Sequence, residues 1–406
     1  MKLKITYIIL LYTLLVGKIF AGGFQLNEHG ARAMGLGGAF TAVADDPSAI
    51  YFNGAGLLQL SGWNFMVGTA LIEPNSEFRG VYPAVTEYNT VKQTFTIPSI
   101  YASYKINKYW AVGIGLNVPF GLGTEWPAGW PGKYLALKTD VKVYTITPTV
   151  AWAMDDASFS FGFVYSFANV NITQNIPQAP FTGDAFTTLN GKDNAGLGLN
   201  LGFMYKAFKE FTIGLSLHTA IDYKFTGTAV TTGASQLANS LPNGNITADL
   251  TTPFNMTIGL AYDLLPKLKL SADFQYVGWS NYDTLIINFD HNTFPRIASP
   301  RLYNDSYIIR FGAEYKVNHS LAFEGGIYFD KNPVKSEWLN PELPDADRLG
   351  FSAGINYKIT RGLTIGASYL FIRSKQLTVN NSNELGFNGT YNSFANIGFI
   401  SLSYGL

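Results

Sequence analysis

Residues 110–117 read Trp-Ala-Val-Gly-Ile-Gly-Leu-Asn, and this alternation decides the fold. Trp110, Val112, Ile114 and Leu116 share one face of an extended chain, and Ala111, Gly113, Gly115 and Asn117 share the other. One face of large apolar groups and one of small or polar groups suits a wall between hydrocarbon and a lumen. In lipid such a wall satisfies its backbone only by closing the sheet on itself. Further along, Leu268, Leu270, Ala272, Phe274 and Tyr276 interleave with Lys269, Ser271, Asp273 and Gln275. The same reading holds for Phe211–Leu217, Met256–Tyr262, Tyr307–Tyr315, Leu321–Phe329, Phe351–Tyr357, Leu363–Phe371 and Ile400–Leu406. A soluble sandwich also alternates, but its solvent face carries many Lys, Glu and Thr, whereas Gly, Ala and Ser recur here.

Composition agrees. Aromatic residues make up 15% and charged residues only 14%, against the ~25% charged of soluble domains. Tyr109, Trp110, Trp279, Tyr282 and Tyr369 stand near strand ends, where amphipathic rings suit the headgroup level. Formal net charge is +0, with no basic stripe, so nucleic acid is not an implied partner. With Cys 0 there are no disulfides or thiolate sites.

Lys2 and Lys4, the apolar run Ile5–Val16 and the small-residue end at Ala21 read as a cleaved secretory leader over residues 1–21. Residues 22–61 break the strand pattern: Gly30–Gly38 is rich in small residues, and Asp45-Asp46-Pro47 signals a turn. Too short and irregular for a domain, this segment reads as a hatch plugging a barrel formed by residues 62–406. At ~25 residues per strand with its connection, about 340 residues make about 14 strands. The expected fold is therefore all-β, a transmembrane antiparallel barrel with an N-terminal plug. Polar stretches near 171–195, 224–252, 283–305 and 374–393 read as extracellular loops, and Asn107-Lys108 and Thr360-Arg361-Gly362 as periplasmic turns.

Nothing in the sequence points to enzymatic or metal chemistry. His29, His218, His291 and His319 lack metal-ligand spacing, Gly35-Leu36-Gly37-Gly38 does not fit a dinucleotide loop, and no Ser or Asp is paired with a histidine. No cofactor or metal is expected. A general porin is the closer rival, though a plug argues against it.

Several motifs give the chain a family likeness. Gly23-Phe24-Gln25-Leu26-Asn27-Glu28, Ala44-Asp45-Asp46-Pro47-Ser48-Ala49 and Asn53-Gly54-Ala55-Gly56-Leu57 resemble the hatch of FadL-type long-chain fatty acid transporters. Asn117–Trp126, Trp130–Tyr134, Tyr328–Val334, Leu343–Arg348 and Ser352-Ala353-Gly354 extend the resemblance over nearly the whole mature chain. It implies a monomeric fourteen-stranded barrel in the outer membrane of a Gram-negative bacterium, surrounded by lipid and lipopolysaccharide. The implied activity is uptake of long-chain fatty acids or, in some members, aromatic hydrocarbons. Ligand contacts are implied at Phe24, Asn53, Val118, Gln174 and Arg296, with Arg296 standing against a family lysine and Gln174 where the family has an arginine. A lateral opening of the wall is implied at Pro119, Phe120 and Gly121. The residues support a kink there independently, because Pro119 lacks an N–H and Gly121 lacks a side chain. The chain departs from the family pattern at Gly54, which replaces a proline and leaves the hatch turn less constrained, and at Leu406, where an aromatic residue usually ends the last strand.

Overall fold

The computed structural model describes residues 23–178, 183–233, 240–290 and 296–406, so the leader and His291 lie outside the described residues. Twenty strands run in chain order: Trp63–Gly80 (β1), Glu87–Asn89 (β2), Phe95–Lys105 (β3), Trp110–Glu125 (β4), Lys138–Met154 (β5), Ala157–Pro177 (β6), Asp184–Phe208 (β7), Phe211–His218 (β8), Asp222–Thr232 (β9), Gly244–Thr251 (β10), Asn255–Leu265 (β11), Leu268–Val277 (β12), Thr284–Phe289 (β13), Arg296–Pro300 (β14), Ser306–Lys316 (β15), Leu321–Asp330 (β16), Arg348–Lys358 (β17), Leu363–Ser374 (β18), Leu377–Val379 (β19) and Gly389–Gly405 (β20).

Fourteen of them, β1, β3 to β8, β11, β12, β15 to β18 and β20, form an antiparallel ring. It closes where β1 pairs with β20, from Asn64↔Gly405 to Gly80↔Gly389. Alternation sets the faces. On β6, Phe161, Phe163 and Tyr165 are exposed outward while Ser160, Gly162, Val164 and Ser166 are buried inward. No helix among the described residues is long and apolar enough to cross a membrane.

The polar stretches read as loops contain more order than expected. β6 and β7 stay paired to Pro177↔Asp184, and β9, β10, β13 and β14 continue the pairing beyond β7 as a tier above the ring. These strands do alternate, with Tyr223, Phe225 and Ala229 on β9, Ile246 and Leu250 on β10 and Leu285, Ile287 and Phe289 on β13 on one face, but each alternation is short and set among Thr, Asn, Gly and Asp, so the stretch reads as loop composition.

The N-terminal segment lies against the inward faces of the ring. It carries two short helices, Ala31–Gly35 (α1) and Ala49–Phe52 (α2), and a 3-10 helix at Gly54–Gln59. Arg32 is bonded to Asp45 in its own segment and to Glu314 on β15. Asp273 on β12 accepts from the backbone N–H of Phe40 (3.1 Å) and Thr41 (3.0 Å), and the Gly35 carbonyl accepts from Ser352 on β17. A run of neighbouring strands on one side of the ring, from β12 through β15 to β17, thus holds one short segment.

Candidate ligand passage

The β3–β4 ladder runs from Lys105↔Ala111 only to Ile100↔Leu116. Continuing that register would set Pro98 opposite Val118 and Pro119 opposite Ile97. Neither proline has an N–H to donate, so the ladder ends where they meet. On the other side, β4 gains one residue against β5 between Asn117 and Phe120, a bulge that bends it away from β3. The N-terminal segment takes up the freed edge. Leu26 N donates to Pro119 O (2.9 Å), Gly121 N donates to Phe24 O (3.1 Å), and Gln25 forms a bridge with Phe120.

Two cavities meet at this place. The first lies between Gly23–Glu28 and the wall and reaches Phe95, Ile97, Val118, Gly121 and Gly123 on either side of the ended ladder. Gly123 is needed there, because a Cβ would come within 2.0 Å of the Phe95 ring. The second lies under the upper tier and is walled by Val141, Val170, Ile172, Leu189, Phe225, Ile246, Leu250, Leu285 and Ile287. Phe24 borders both. Its ring packs on Phe120 (5.9 Å), Trp279 (4.8 Å) and Tyr282 (6.2 Å), so it forms a partition between them.

One end of the second cavity is polar. Arg301, between β14 and β15, is 5% exposed and donates to Glu342 at 2.6 Å. Its buried Nε has no hydrogen-bond partner among the described residues. Tyr282, Tyr303 and Asn340 complete this end. At the floor of the first cavity, Asp345 accepts from Gly23 N (3.0 Å), and Arg348 donates to Gly23 O (2.6 Å) and to Asp345 (2.6 Å). Burial pushes the Asp345 carboxyl up, while the Arg348 guanidinium pulls it down. The chain direction just ahead of the Phe24 partition is held by this clamp.

The implied site residues divide. Phe24, Val118 and Gly121 border the first cavity, and Phe120 packs against Phe24. Pro119 supplies the carbonyl that holds Leu26. Asn53 borders neither cavity. It is 1% exposed and donates to Thr41 O (2.9 Å) and Phe203 O (3.0 Å), fastening the segment to β7. Gln174 on β6 pairs opposite Thr187, and Arg296 is exposed at the start of β14 opposite Asn288; neither borders either of these two cavities. Gly54 is tightly packed, since a Cβ would meet Ser160 and Thr149 at 2.8 Å. Asp345 and Arg348 fall in the Leu343–Arg348 motif but their contact with Gly23 is not visible in it, and nothing in the sequence marks Arg301. No group of metal-ligating side chains occurs among the described residues.

Asn53→Ala is expected to leave the Thr41 and Phe203 carbonyls without this donor and to cost about 1–3 kcal/mol locally. Faster amide exchange in residues 40–60 and unchanged exchange in the barrel strands would show the loss.

His29 adds a pH dependence. Its ring lies tilted against that of Tyr51, with centroids 3.9 Å apart, and burial pushes its imidazole down to about 3. A detached segment would protonate near the ordinary ~6.5, so the docked form binds fewer protons between those values. Docking is therefore fully supported by this group above about pH 6.5 and loses that support as pH falls toward 3. Glu28 and Asp46, whose carboxyls burial pushes up, act in the opposite sense. Comparison with His29→Gln, in which both remain, isolates the histidine: between pH 7 and 4.5, wild type should lose more protease resistance in residues 24–60 than the variant does.

A closed, strand-built wall with an apolar passage beside an internal segment defines an outer-membrane channel for hydrophobic compounds. The family model described as "Outer membrane protein transport protein (OMPP1/FadL/TodX)" matches residues 12–404, and the chain belongs to that family. It is a family of transport channels, not enzymes, and its members are outer-membrane proteins. The chain is 27% identical to the 47 kDa outer membrane protein of Pasteurella multocida, covering 96% of this chain and 95% of that one. It is 25% identical to a long-chain fatty acid transport protein of Escherichia coli O6:H1, over 86% of this chain and 87% of that one. Among solved structures, a Pseudomonas aeruginosa FadL homologue superposes with a TM-score of 0.85 at 20% identity, covering 94% and 99% of the two chains. The toluene transporter TodX of Pseudomonas putida gives 0.77 at 18% identity, covering 96% and 100%. At these identities the structural likeness speaks for the fold alone.

Proposed function

We propose that the chain is a monomeric channel that takes up long-chain fatty acids and releases them sideways into the membrane between β3 and β4, with residues 22–61 acting as the hatch. The observation that carries the fatty acid reading is Arg301, a buried guanidinium with an unpartnered Nε at one end of an otherwise apolar cavity. A carboxylate supplies the acceptor that Nε lacks, and the acyl chain gains ~0.8 kcal/mol per buried CH₂ along the aliphatic walls. From there the ligand passes the Phe24 partition, reaches the first cavity and leaves between Phe95–Ile97 and Val118–Gly123. Phe24, Val118, Pro119, Phe120 and Gly121 act along this path. Asn53 acts by holding the hatch, and Gln174 and Arg296 act at the outer rim.

The second reading, an aromatic hydrocarbon channel, is favoured by the aliphatic lining and by Glu342, which already balances Arg301. Binding of a labelled long-chain fatty acid and of toluene to the purified protein separates the two. Saturable fatty acid binding supports the first reading; binding of toluene alone supports the second.

A further inference from the structure

On the outer wall, the face presented to the membrane changes character at one level. β6 runs Phe161, Phe163, Tyr165 and Phe167 outward and then Asn169 and Asn171. β5 likewise passes from Tyr144, stacked on Phe167 at 5.3 Å, to Lys142 and Asp140. Register lines up one row across four strands, Lys142↔Asn169↔Lys192↔Thr226, and a second above it, Asp140↔Asn171↔Asn190↔Thr228. These eight residues wall a groove floored by Val170, Gly191 and Gly227.

We propose that this groove binds the phosphorylated sugar headgroup of an outer-leaflet glycolipid. The row sits directly above the aromatic band, at headgroup depth. Lys142 and Lys192 are two strands apart, about 10 Å, and their flexible ammonium groups converge on one phosphate. Three asparagines and two threonines supply the donors and acceptors that sugar hydroxyls require. Asp140 is bonded to Lys142 at 2.9 Å and offsets one lysine, which leaves the groove a net cation. Asp140 and Lys142 also border the first cavity, and Asn190 and Thr226 the second, so the groove adjoins the passage; the inference does not depend on which ligand the channel carries.

The test is native mass spectrometry of the full mature protein in detergent with EDTA, titrated with bisphosphorylated lipid A, enzymatically dephosphorylated lipid A or inorganic phosphate. Wild type should retain bisphosphorylated lipid A at least about tenfold more tightly than the dephosphorylated form. Lys142→Gln/Lys192→Gln should remove that preference, and Asp140→Asn should strengthen it. Circular dichroism and thermal transition confirm that each variant is folded before it is compared. Equal retention of the two lipids by wild type, or a preference undiminished in the double variant, overturns the proposal. Inorganic phosphate binding as tightly as the lipid also overturns it, since the groove would then be a free-anion site.

Discussion

Arg301→Met combined with Glu342→Gln is expected to weaken long-chain fatty acid binding by about one to two orders of magnitude while toluene binding stays within a factor of two. A charge-assisted hydrogen bond to a buried carboxylate contributes ~1.5–3 kcal/mol, and only the fatty acid has the carboxylate. Glu342 is changed as well because Arg301→Met alone would leave a carboxylate buried without its 2.6 Å partner, a cost of ~3–5 kcal/mol that would disturb the loop and obscure the ligand effect. Equilibrium titration with the two ligands provides the measurement. An equal loss for both would mean that the cavity has deformed; no loss for either would remove Arg301 from the binding event.

Deleting Pro119 should abolish uptake and preserve binding. The deletion removes the extra residue between Asn117 and Phe120, so β4 can run in one register along β5. It also removes one of the two prolines that end the β3–β4 ladder. A straightened β4 recovers pairing with β3 and closes the space beside Phe95. Fatty acid binding in the second cavity, which Pro119 does not border, should change little. Uptake by whole cells at matched surface expression, set beside binding to purified protein, separates the two effects. Undiminished uptake would mean that the ligand leaves by another route.

The ring was legible because each of its strands must satisfy hydrocarbon on one face. That requirement writes itself into stretches such as Trp110–Asn117 as a period of two. Pro119 was legible for a similar reason, since a missing donor is visible in the residue itself. Arg301 was not. A single arginine after a proline in a polar stretch looks solvated, and its burial depends on Glu342, 41 residues away, and on strands above the ring whose short alternations are masked by the Thr, Asn and Gly around them. The clamp on Gly23 was equally hidden, because Asp345 lies 322 residues further along and only closure of the barrel brings them together. Local chemistry reads from sequence; a site assembled by closure does not.

The Phe24 partition also bears on the cell's electrical insulation. An ion following the passage would have to shed its water among Val, Ile and Leu side chains and then move a ring packed on Trp279 and Phe120. A greasy molecule meets no such penalty. A channel partitioned in this way discriminates by the cost of dehydration, so it can stand open to hydrophobic compounds while remaining a poor conductor of salts.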